Sequence, residues 1–68
     1  MMNTEVDRLE AEARDLDTFV GTERDILDHM ERAGMSVAPR ERARIGRIQE
    51  MANRAWTDYR AAVARFWA

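Results

Sequence analysis

Apolar residues recur in the first half of the chain at Val6, Leu9, Ala13, Leu16, Val20, Leu27 and Met30. The steps of three, four and seven mark the seam of an amphipathic helix carried over nearly four heptads. One slot in that seam is polar, at Glu23. Phe19 and Ile26 fall beside the seam and widen it to a stripe, which suits a helical bundle better than a two-stranded coil. In the second half the series is Ile45, Ile48, Ala52, Ala55, Tyr59, Ala62 and Phe66. Trp56, Val63 and Trp67 run along one flank of it and Met51 lies on the other.

Punctuation between the stripes predicts where the helices stop. Asn3 and Thr4 are good N-cap types, and Thr4 with Asp7 has the spacing of a loose capping box. Arg32 followed by Gly34 makes a helix C-terminus: a cation in the last turn, then glycine at the left-handed cap. Ser36 is placed to cap a second helix and Pro39 to sit in its first turn, where a missing N–H costs nothing. The chain therefore reads as a single domain, 1–68, with helix 1 over about 4–33, a turn over about 34–38 and helix 2 over about 39–67. Gly21-Thr22-Glu23-Arg24-Asp25 is the one ambiguous stretch. The heptad phase passes through it unshifted, so a continuous helix is expected, with a kink or break near Gly21 as the alternative.

A short turn makes the two helices antiparallel neighbours. With the turn centred near Ser36, facing residues have numbers adding to about 72. That register sets Leu27 against Ile45, Val20 against Ala52, Leu16 against Ala55, Ala13 against Tyr59 and Val6 against Phe66. Large faces small in most layers, as close packing requires. Charge supports the pairing. Residues 1–34 carry ten acidic side chains against four Arg, a net of −6, and residues 35–68 carry three against seven, a net of +4. In this register Asp28 is expected near Arg44 and Asp25 near Arg47.

Composition narrows the function classes. All eleven basic residues are Arg, cysteine is absent and histidine occurs once, at His29. A disulfide framework, thiol chemistry and a His-cluster metal site are thereby excluded, and Asp25 with His29 makes only two ligands. There is no glycine-rich phosphate loop and no nucleophile with a base in reach, so no enzyme, cofactor or metal site is expected. No apolar run approaches the roughly 18 residues of a membrane span. With no secretory signal pattern at the N-terminus either, a cytoplasmic location is expected.

Two helices cannot surround a core, and at this length a lone core is marginal. Phe19, Ile26, Met51, Trp56, Tyr59, Val63, Phe66 and Trp67 are therefore the expected partner or dimer interface, and Trp67, next to the chain end, is the hardest to bury intramolecularly. The expected architecture is all-α: an antiparallel two-helix hairpin dimerising into a four-helix bundle. The expected function is non-enzymatic protein–protein interaction, as a small adaptor, inhibitor or assembly subunit of the kind phage and plasmids encode. Its partner is a second copy, another protein, or both.

The alternative is a nucleic-acid-binding hairpin dimer. Arg40, Arg44, Arg47 and Arg54 lie within about 80° of one another on a helix of 3.6 residues per turn, a stripe suited to phosphates or to an acidic protein surface. Small plasmid RNA-binding hairpin dimers have this shape, an analogy of architecture alone. Against that reading, the stripe can pair with Asp25, Asp28 and Glu31, and the chain as a whole is acidic, with a pI near 5.3. Glu23 on the seam reads as a functional buried carboxylate or a device that fixes register, or else as a carboxylate that a kink at Gly21 turns outward or that pairs with an Arg such as Arg47 or Arg54.

Overall fold

A computed structural model describes residues 3–68. Among them are two helices, α1 over Thr4–Arg32 and α2 over Pro39–Phe66, packed against each other as an antiparallel hairpin, with no strand. Gly21 lies inside an unbroken α1. A Cβ added there would meet nothing within 4 Å, so no close neighbour requires glycine at that point.

The ends of the helices follow from backbone hydrogen bonding. Asn3 is the N-cap of α1: its side chain accepts from the Val6 N–H at 3.1 Å. Thr4 is already helical, so the capping box expected from Thr4 and Asp7 does not form. At the other end Gly34, with φ +82°, donates to the Glu31 carbonyl at 3.0 Å while Met35 donates to the Met30 carbonyl at 2.9 Å. These two bonds make a Schellman motif and satisfy carbonyls that the helix leaves free. α2 begins on Pro39 after Ala38, which offers no side-chain cap. Ser36 therefore plays no capping role, because the helix starts two residues too late for it.

The buried set is small. Ala13, Val20 and Leu27 on α1 meet Ile45, Ala52 and Ala62 on α2. Val20, Leu27 and Ile45 form an apolar cluster, with Met30, Ile48 and the loop residue Val37 packed around it near the turn. Each helix thus buries little more than one heptad row. Of the other seam positions, Val6, Leu9, Leu16, Ala55 and Tyr59 stay half-exposed and Phe66 is exposed. The reason is geometric: a single neighbouring helix covers only a narrow strip of an apolar stripe. The molecule is one layer of helices, 51 × 17 × 12 Å over its Cα atoms.

Cross-helix bonds report the register directly. Arg24 with Gln49, Asp28 with Arg42, Asp17 with Trp56, Glu5 with Arg65 and Glu23 with Arg44 have numbers adding to between 67 and 73.

Candidate functional site

The two broad surfaces of the hairpin differ in chemistry, and helical periodicity accounts for the difference. On one surface, Asp17, Arg24, Asp28 and Glu31 of α1 share a row, and Arg42, Gln49 and Trp56 of α2 form another at heptad spacing. These rows are laced together. The Trp56 indole N–H donates to Asp17 at 2.5 Å, Arg24 donates to Gln49 at 3.2 Å, and Arg42 donates to Asp28 at 2.9 Å and also to Glu31. The two carboxylates, Glu31 first and Asp28 second, raise the Arg42 pKa and hold its guanidinium charged. Trp56 packs edge-to-face on Tyr59, with ring centroids 5.7 Å apart. The Glu10 carboxylate, together with partial desolvation, raises the Tyr59 phenol pKa above its ordinary value.

The opposite surface is apolar. Phe19, Glu23, Ile26 and Met30 follow one another at steps of four, three and four along α1, and Arg44, Ile48, Met51 and Ala55 do the same along α2. Glu23 and Arg44 join these rows: Arg44 donates to Glu23 at 3.0 Å, and its Nε lies 3.6 Å from Glu41. A longer ion pair, Arg65 with Glu5 at 4.0 Å, continues the same rows at the end remote from the loop. Between the two pairs Phe19 and Met51 are 43% and 57% exposed, and Ile26, toward the loop, is 49% exposed.

The residues singled out from sequence therefore divide. Phe19, Ile26 and Met51 come together on the apolar surface. Trp56, hydrogen-bonded to Asp17, and Tyr59, packed edge-to-face on it, are half-buried on the laced surface. Val63 is half-buried beyond them. Phe66 and Trp67 stack edge-to-face, centroids 5.1 Å apart, at the end remote from the loop, where Trp67 is 78% exposed.

The arginine stripe also divides. Arg44 is engaged by Glu23 and Glu41, whereas Arg40, Arg47 and Arg54 have no ionic partner among the described residues. They border the apolar surface, within about 60° of Met51 around a helix of 3.6 residues per turn. The expected contacts Asp28–Arg44 and Asp25–Arg47 do not form. Asp28 lies on the laced surface, where Arg42 is the cation in reach, and Asp25 and Arg47 project from opposite edges of the hairpin. Glu23 takes Arg44 rather than Arg47 or Arg54, because Arg44 stands nearest the seam.

Sequence reading offered Asp28 and Glu31 as acidic partners for the arginines of helix 2, and Arg42 takes both, but it missed the rest of the lacing set. Its signal was present. Arg42, Gln49 and Trp56 recur at seven-residue spacing, and so do Asp17, Arg24 and Glu31. The two series make a second, polar register beside the apolar one.

Among the described residues there is no concave pocket, no three His, Asp or Glu side chains come together as metal ligands, and no helix is long and apolar enough to cross a membrane. The chain matches no protein-family model, no curated protein and no solved structure.

Proposed function

We propose that this chain is a non-enzymatic protein–protein interaction module whose working surface is the apolar side of the hairpin, and that it self-associates through that side into a four-helix bundle. The observation that carries the reading is an excess of exposed surface together with an uncovered apolar face. The chain exposes 5244 Å². A compact monomer of its mass exposes about 4,400 Å². The excess, roughly 800 Å², is about one partner's share of a standard interface. Phe19, Ile26 and Met51 sit where a second helical layer would cover them, and a two-layer bundle is the common way for helical hairpins to do so.

Light scattering from high to low micromolar concentration tests this. The expected result is a dimer, and Ile26→Asp, which sets a charge within the exposed apolar face, is expected to yield a monomer. A wild-type chain that stays monomeric, fully helical and thermally stable throughout would remove the reading, because its apolar face would then need no cover.

A second reading rests on Arg40, Arg47 and Arg54, which have no acidic partner among the described residues. In it the stripe binds nucleic-acid phosphates. Binding would then fall steeply with salt, and Arg47→Glu would weaken it for all sequences alike. Binding that is flat in salt removes this alternative.

A further inference from the structure

Resting on the self-association proposed above, we infer how the two hairpins are oriented: they pack with both loops at the same end, so that α1 of each copy lies on α2 of the other. Two symmetric arrangements cover the apolar surfaces of both copies. With the two-fold axis parallel to the helices, α1 meets the partner's α2 and the loops share an end. With the axis across the helices, α1 meets α1, α2 meets α2, and the loops lie at opposite ends.

The Glu23–Arg44 pair separates the two. Its side chains remain 26% and 40% exposed on the apolar surface, so a second layer covers them. With the loops together, the pair lies at the same height in both copies. Glu23 of each then stands over Arg44 of the other, and the four charges alternate around a closed ring with like charges only on its diagonals. With the loops apart, the two pairs meet only if the axis passes through them, and then Glu23 stands over Glu23 and Arg44 over Arg44. If the axis passes elsewhere, each pair is buried against apolar residues with no further partner, which is costly for a charge.

The wider charge layout points the same way. The net charge is −6 for residues 1–34 and +4 for residues 35–68, so α1 on α2 sets unlike charges together. The opposite arrangement lays the Arg40, Arg47 and Arg54 edge of one copy along the same edge of the other, a juxtaposition that repels. One consequence is that both Phe66–Trp67 pairs gather at the end opposite the loops, instead of lying at the two ends of a rod.

The chain has no cysteine, so Ser36→Cys places a single exposed thiol in the loop. Spin labels on that thiol, read in a preparation whose dimeric mass has been measured, give the orientation. The expected separation is within about 20–30 Å, because packed helices lie only about 8–10 Å apart and the labels add their own length. A separation near the 51 Å length of the hairpin overturns the orientation and leaves self-association standing. A monomeric mass overturns both. In the same assay Glu23→Arg is expected to weaken dimerisation by about tenfold or more. Equal numbers of Glu23→Arg and Arg44→Glu chains are expected to form a mixed dimer in preference to either parent. Dimerisation of Glu23→Arg at wild-type strength overturns the charge ring.

Discussion

Tyr59 is the residue whose surroundings make the clearest chemical statement. The Glu10 carboxylate acts on its hydroxyl and favours the neutral phenol. A phenol whose pKa is higher in the folded chain stabilises the fold fully below its ordinary value, about 10. That contribution is lost as pH rises through the higher folded value. Wild-type stability in urea is therefore expected to fall as pH climbs past that point, and Tyr59→Phe to flatten the decline. Tyr59 is the only tyrosine, so the absorbance of its phenolate also reports the folded pKa without interference. A midpoint equal to that of free tyrosine would mean that Glu10 does not act on the phenol in solution.

At the scale of the helices, the contact is set by small residues. Ala13 and Ala52 are completely buried, and each small side chain leaves room for the facing helix in its own layer. Ala13→Trp is expected to overpack that layer and destabilise the protein by about 1–3 kcal/mol, read as a lower melting temperature. An unchanged melting temperature would mean that the helices meet along different rows. The helices themselves were legible from residue pattern, because their punctuation is local: Asn3, Gly34 and Pro39 act on backbone groups within a few positions. Capping was misread where two eligible residues stood side by side. Asn3 and Thr4 both have the chemistry, and only the geometry of the first turn decides between them. The identity of the cross-helix ion pairs was also out of reach. Arg42 and Arg44 are two residues apart, hence about 160° apart around a helix of 3.6 residues per turn, and a register known to within a few residues does not say which surface each one occupies.

At the scale of the whole molecule, the hairpin is long and thin. Its radius of gyration is 15.7 Å, against about 11 Å for a compact domain of this length. A single layer leaves one broad side laced by polar bonds and the other apolar, which is the basis for proposing a second layer. Hydrophobic periodicity, end signals and the opposed charges of the two halves were enough to determine two long helices and their antiparallel pairing, since each depends on spacing along the chain and on charge summed over a helix. Only the tertiary structure decided that Trp56 and Tyr59 are engaged within the chain while Phe19, Ile26 and Met51 are left open. It also decided that Arg44 is tied to Glu23 while Arg40, Arg47 and Arg54 have no ionic partner among the described residues. Those distinctions depend on the rotation of each helix about its own axis, which is set by how the small buried residues pack and by which carboxylate each guanidinium can reach.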